Sequence, residues 1–192
     1  MKKMLMSVIS FVLMANVSFA GGFTDRLSVS VGGLAGALGD MPNTAMGLNV
    51  QASVAMTSWV DAELSYTHMS AANMEKYTTD TYIAGLFRQI KMDRSRALMA
   101  DCYLASMRIG PRYNGFHPYL TGGGGLMSVT DRRTDAYNPS GTYTSSTSQF
   151  VVRGGLGFIA DLSKSLAFQL EGSYLSGPSA ARLLNAGLVY RL

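Results

Sequence analysis

The sequence predicts an all-β fold, an eight-stranded antiparallel up-and-down transmembrane β-barrel, on three observations. Apolar and polar residues alternate with period two in one run after another. The segments between runs alternate between short and long. No stretch after the N-terminal leader approaches the roughly 18 consecutive apolar residues of a spanning helix, although glycine is abundant, at 21, and apolar residues are plentiful.

The leader comes first. Lys2 and Lys3 precede an apolar stretch, residues 4–17, that closes on Ser18, Phe19 and Ala20, the pattern of a secretory signal peptide. About 14 apolar residues are too few for a bilayer, which takes roughly 20. Residues 1–20 are therefore expected to be removed, leaving 21–192 as one barrel domain. Losing Lys2 and Lys3 takes the formal charge from +4 to +2, a balance that points to no nucleic-acid partner. Cys102 is the single cysteine, so no internal disulfide can stabilise the exported chain. No cofactor and no metal are expected.

The expected strands are residues 27–38, 46–56, 59–69, 98–113, 119–130, 149–160, 166–175 and 181–192. Short turns fall at 57–58, 114–115 and 161–164, and longer polar segments at 39–45, 70–97 and 131–148. Short turns on one side and long loops on the other are the asymmetry of an outer-membrane barrel, with the short turns periplasmic. The stretch 79–91, "TDTYIAGLFRQIK", fits a strand or a short helix. A ninth strand would put the termini on opposite sides, so it is assigned to a long surface loop.

Successive side chains on a strand point to opposite faces. The first strand alternates only as far as Val31. The second sets Leu48, Val50, Ala52, Val54 and Met56 against Asn49, Gln51 and Ser53, and the third sets Val60, Ala62, Leu64 and Tyr66 against Asp61, Glu63, Ser65 and Thr67. The fourth opposes Tyr103, Ala105, Met107, Ile109 and Tyr113 to Ser106, Arg108 and Arg112. The fifth, "YLTGGGGLMSV", holds too many glycines to assign its faces. These glycines suit bending or close approach of strands, and no Gly-Lys-Ser/Thr follows to make a phosphate loop. The sixth sets Phe150, Val152, Leu156 and Phe158 against Arg153. The seventh sets Leu166, Phe168, Leu170 and Tyr174 against Gln169, Glu171 and Ser173. The eighth sets Leu184, Ala186, Leu188, Tyr190 and Leu192 against Asn185 and Arg191. Charges well inside the strands fall on the polar face.

Alternation alone does not say which face is inside, and a soluble periplasmic binder of lipocalin type would share it. Aromatic positions favour a membrane. Trp59, Tyr113, Tyr119 and Tyr190 stand near the short turns, and Tyr66 and Tyr174 near the long loops, as two interfacial girdles require.

Three patterns carry a family resemblance: "HPYLTGGGG" opening the fifth strand, "GGLGFIADLSKSLAFQLEGSYL" over residues 154–175, and the closing "NAGLVYRL" over residues 185–192. Residues 21–192 resemble the small outer-membrane β-barrel family, the OmpA-like transmembrane domain and its OmpX/Ail-like relatives. The resemblance implies residence in the bacterial outer membrane among lipid and lipopolysaccharide. It also implies that the last strand is read by the barrel-assembly machinery. Tyr190 fits that signal, while Leu192 stands where phenylalanine is usual.

An eight-stranded barrel has an interior that side chains can fill. Asp61, Glu63, Glu171, Arg108, Arg112 and Arg153 are expected to pair inside it, since each would otherwise be desolvated alone. The alternative is a narrow gated pore. A second alternative is a lipid A-modifying, deacylase-like enzyme: His68 and Ser70 share outward parity, and Asp101 shares it on the adjacent strand, the residue types of a Ser-His-acid site. The element resembles the His-x-Ser of lipid A deacylases, with Thr67 and Ala71 in place of the flanking phenylalanine and asparagine, and on a different strand. The non-enzymatic reading is preferred, with envelope structure or surface interaction as the role. The loops then become the working surface, and Arg94, Arg96, Arg132 and Arg133 are the candidates to bind lipopolysaccharide phosphate or an external ligand.

Overall fold

The computed structural model describes residues 27–83, 86–135 and 138–192; the expected leader at 1–20 lies outside them. Eight strands follow one another: β1 (Leu27–Leu38), β2 (Ala45–Ala55), β3 (Val60–Ile83), β4 (Leu86–Ile109), β5 (Phe116–Asp135), β6 (Asn138–Asp161), β7 (Leu166–Ser176) and β8 (Ala181–Arg191). Each pairs antiparallel with the next, and β8 returns to β1 from Ser28↔Arg191 to Leu38↔Ala181, closing the barrel. Closure removes the sheet edges, which in hydrocarbon would leave backbone groups unpaired at several kcal/mol each.

The polarity of the cylinder is inverted relative to a soluble protein. Leu48, Leu120 and Leu156 on the outer wall are 62%, 65% and 66% exposed, whereas Gln51, Glu63, Arg108, Arg153, Gln169 and Glu171 are buried inside. A water-soluble binder needs the reverse arrangement. Trp59, Tyr113 and Tyr190 ring the short-turn end on the outside, and Tyr66 and Tyr103 stack at the other end with ring centroids 5.2 Å apart.

Two expectations need correction. Segments 70–97 and 131–148, read as loops, are paired strand almost throughout. β3 and β4 stay in register up to Ile83↔Leu86, and β5 and β6 up to Asp135↔Asn138 with one irregularity between Arg133 and Asp135. Residues 79–83 and 86–91 are therefore strand, on the two arms of one hairpin, so the count remains eight. These arms stand in water and need no continuous apolar face, which is why their alternation does not advertise them. The second correction is Tyr119, expected in the outer girdle. It is 4% exposed and points inward, because His117, Tyr119 and Thr121 share the inner parity that the glycine run concealed.

The four-glycine run, residues 122–125, lets neighbouring strands approach closely at Gly123, Gly124 and Gly125. A β-carbon on Gly125 would lie 1.9 Å from the Tyr103 carbonyl oxygen, while one on Gly122 would meet nothing within 4 Å. Gly125→Ala is expected to cost about 3 kcal/mol or more and Gly122→Ala less than about 0.5 kcal/mol. The urea midpoints of the two variants refolded in lipid measure the difference.

Candidate functional site

The lumen is built from inward residues of successive strands. Glu63 on β3 sits between two guanidinium groups. It is ion-paired with Arg108 of β4, and its Oε1 accepts from Arg153 Nη1 of β6 at 2.7 Å, across the cylinder. Arg153 also pairs with Glu171 of β7 and lies 3.3 Å from Ser65 Oγ and 3.4 Å from Ser106 Oγ. Tyr119 donates its hydroxyl to Glu171 Oε2 at 3.0 Å and accepts from Gln169 Nε2 at 2.8 Å, with Arg108 stacked 5.1 Å from its ring centroid. Gln51 Oε1 accepts from Arg108 and from Ser30 Oγ, at 2.6 and 2.8 Å. Nearer the short turns, Arg112 pairs with Asp61 at 2.5 Å, and His117 Nε2 lies 3.2 Å from the Gly110 carbonyl.

Of the six charged residues expected inside the barrel, Asp61, Glu63, Arg108, Arg153 and Glu171 are buried on this inner face, whereas Arg112 lies beyond the end of β4, exposed, and reaches Asp61 from the short-turn mouth. Sequence reasoning missed the uncharged members. Gln51 and Gln169 lay on the polar face of their strands and could have been found by the same parity argument; Tyr119 was hidden by the glycines. It also missed a second layer above the polar one. Leu34, Leu38, Met69, Ala100, Cys102, Met127, Val129, Val151, Leu175 and Leu183 point inward and form one buried apolar cluster, and Met41 from the β1–β2 loop completes it. The lumen is thus polar in the half next to the short turns and greasy in the other. A cavity of about 50 Å³ remains at the short-turn mouth, lined by Asp61, Arg108, Arg112 and His117 among others.

On the outer wall His68 and Asp101 are cross-strand partners, and His68 Nδ1 lies 2.9 Å from Asp101 Oδ1. The same oxygen accepts from the Tyr66 hydroxyl at 2.6 Å. Ser70 is exposed two residues further along β3, and among the described residues no hydrogen bond joins it to His68.

Above the rim, the four arginines expected on loops lie on β4 and β5. Arg96 bridges Asp40 at 3.0 Å and Asp131 at 3.1 Å, and Arg133 reaches Asp131 at 3.0 Å. This chain ties the β1–β2 loop to the β4–β5 strands, with Asn43 Nδ2 donating to the Ala72 carbonyl at 2.6 Å. The hydrogen bond from Arg96 leads in holding the Asp40 carboxyl below its usual range. Burial pushes Asp131 upward, but hydrogen bonds from Arg133 and Arg96 outweigh it and leave that carboxyl low as well. Arg132 faces outward, exposed, and makes no ion pair among the described residues. Arg94 lies opposite Asp135 in the β4–β5 register.

No protein-family model matches the chain, and no curated protein matches it. Solved structures do match. The crystal structure of Ail, the attachment invasion locus protein of Yersinia pestis, in complex with the heparin analogue sucrose octasulfate, is similar over 87% of this chain and 98% of its own. The TM-score is 0.60 at 14% identity. A major outer membrane protein from Thermus thermophilus covers 86% of this chain and 99% of its own, with TM-score 0.59 at 13% identity. Neisserial surface protein A covers 90% and 100%, with TM-score 0.52 at 12% identity. The chain has the fold of the small eight-stranded outer-membrane barrels.

Two outcomes are expected here. Arg153→Met leaves Glu171 buried with Tyr119 but without its cation, and should lower stability by about 3–5 kcal/mol, read from urea unfolding in lipid. The Asp40 and Asp131 carboxyls are depressed, so the clamp is fully formed above their ordinary value of 3.8 and is lost as pH falls through the lowered values. A spin label in the β1–β2 loop should be immobilised near neutrality and gain mobility only at pH well below 3.8.

Proposed function

We propose that this protein is an integral outer-membrane barrel with an occluded lumen. It is non-enzymatic, contributes to envelope structure, and meets external ligands through the two hairpins that project above its rim. The observation that carries this reading is the length of those hairpins. β2 last pairs with β3 at Ser70, and β3 runs on to Ile83, on the order of 40 Å of strand. The β5–β6 hairpin rises comparably beyond the last β7 partner, Val152. With the short turns periplasmic, as in barrels of this fold, the hairpins are extracellular. In this reading residues 1–20 are the export signal and 21–192 the barrel domain, and the strand over 185–192 is presented to the barrel-assembly machinery.

The lumen supports the occluded reading. Ion pairs bridge it and an apolar layer covers them, so ions would have to pass both. Recordings in planar bilayers should show no steady large conductance, and a persistent open channel would overturn the proposal.

The structure of Ail with a heparin analogue supports a polyanion as the kind of ligand to test, lipopolysaccharide phosphate being the one at hand. Of the four arginines, Arg96 and Arg133 are engaged with aspartates, and Arg132 presents an exposed guanidinium. Arg132→Ala should weaken sucrose octasulfate binding about fivefold, the loss of roughly 1 kcal/mol from one charge-assisted contact. Replacing 131–148 by a tight turn should abolish it. Binding unchanged in both variants would remove the surface role.

One observation favours a second reading. The His68–Asp101 contact orients an imidazole on the outer wall, two residues from Ser70, as an ester hydrolase acting on outer-leaflet lipid would need. Against it, Tyr66 engages the same carboxylate oxygen and Ser70 is not joined to His68. Mass spectra of lipid A from cells with and without the protein should be the same; a lost acyl chain that depends on Ser70 would establish the enzyme.

A further inference from the structure

We infer that the short-turn mouth of the lumen is a binding pocket for the terminal carboxylate of a short aliphatic chain. The pocket lies at the opposite end of the barrel from the hairpins and is independent of their role. With the short turns periplasmic, it opens to the periplasm.

The mouth is rich in donors and short of acceptors. Arg108, Arg112, Arg191 and Asp61 are the charged residues bordering its cavity. Each guanidinium is held through one terminal nitrogen. Arg108 spends Nη2 on Glu63 and on Gln51 Oε1, Arg112 spends Nη2 on Asp61 Oδ1, and Arg191 spends Nη2 on Asp161 Oδ1. A guanidinium carries five N–H donors and no acceptor, so these contacts leave most of the donors over. Arg108 is 2% exposed, and its Nε has no hydrogen-bond partner among the described residues. A buried donor left without an acceptor is destabilising. Arg112 and Arg191 are partly exposed and frame the entrance, where their forks can turn to an incoming group.

The other wall of the cavity is aliphatic. Ala55, Ile159 and Val189 line it, and Ile159 and Val189 are buried in a small apolar cluster with Tyr119 and Ala167. Chloride offers this wall no carbon, and inorganic phosphate presents oxygen on every side. A carboxylate on an alkyl chain matches both walls, its two oxygens on the guanidinium forks and its methylenes on the aliphatic side chains. Size agrees. At roughly 10–15 Å³ for each water-sized group, a cavity of about 50 Å³ takes about three or four of them, which covers the carbon and two oxygens of a carboxylate and one methylene. Asp61 opposes an anion, but it is paired with Arg112, whose planar fork has a second edge free to share. Free short-chain acids and the C-terminal end of a polypeptide both carry the required group.

The test uses the full barrel in lipid nanodiscs with isotope-labelled arginine, following the guanidinium resonances by NMR as propionate is added. Propionate should shift the Arg108 and Arg112 signals along a saturable curve. Propionamide, which has the same shape without the charge, and chloride and inorganic phosphate at matched ionic strength should each bind about tenfold more weakly or less. Arg112→Lys keeps a cation beside Asp61 but loses the fork, and should weaken propionate about fivefold. Val189→Phe fills the cavity and should abolish the shift. Gel mobility before and after boiling shows whether that variant is folded, and Ala55→Val, a smaller intrusion expected to weaken binding, replaces it if not. N-acetylalanine binding more tightly than propionate would assign the pocket to a polypeptide end, and binding more weakly would assign it to a free acid. No saturable shift, an equal response to chloride, phosphate or propionamide, or propionate binding that survives both the Arg112 variant and the filled cavity would overturn the inference. None of these outcomes alters polyanion binding at the hairpins, so the two readings stand or fall separately.

Discussion

Hydrocarbon offers no hydrogen bonds, and the architecture of this protein follows from that constraint. Every backbone N–H and C=O within the bilayer must find a partner in the chain, which a sheet achieves only by closing on itself. Closure gives each strand one face toward lipid and one toward a lumen too narrow for bulk water. The polar alternate residues then have only one another. Glu63 between Arg108 and Arg153, and Glu171 between Arg153 and Tyr119, are consequences of wrapping a half-polar sheet into a cylinder. The reach of Arg153 from β6 to β3 matters particularly, because it links walls that share no backbone ladder.

The apolar half of the lumen has a different origin. Where the strands approach the extracellular rim, inward residues change from ionisable to aliphatic, and Met41 enters from the β1–β2 loop. An apolar layer there contributes ordinary burial free energy, of which a barrel otherwise has little because its outer wall remains against lipid. It also separates the ion pairs from the external medium, so their attraction is not screened from that side. The Asp40–Arg96–Asp131 chain holds the loop that supplies Met41, linking the surface charges to the seal.

Much of this could be read from the residues, and the failures have definite causes. Strand number, termini side and inward charges followed from period-two alternation, because lipid on one side and polar partners on the other impose it strictly. The glycine run of β5 carries no side chains to alternate, which concealed Tyr119. The hairpin extensions resemble loops in sequence because strands in water need not keep an apolar face; only their pairing defines them, and pairing is a property of two segments that neither shows alone. His68 and Asp101 were matched by parity, yet Tyr66, which shares the same carboxylate, was counted as a girdle aromatic since nothing in the sequence distinguishes a hydroxyl in lipid from one at the level of the head groups.

The same constraint marks where it ceases to apply. Water begins at the rim, and an unpaired backbone group there costs little because solvent satisfies it. β2 and β7 can therefore stop while β3 to β6 continue, and open edges forbidden a few ångströms below become available. The chain fills one of them with Asn43 and charge, and leaves the other, on β6, neutral and uncovered. Membrane depth thus divides the strands into a lower part whose pairing is fixed by the solvent's poverty and an upper part whose unpaired backbone groups water satisfies.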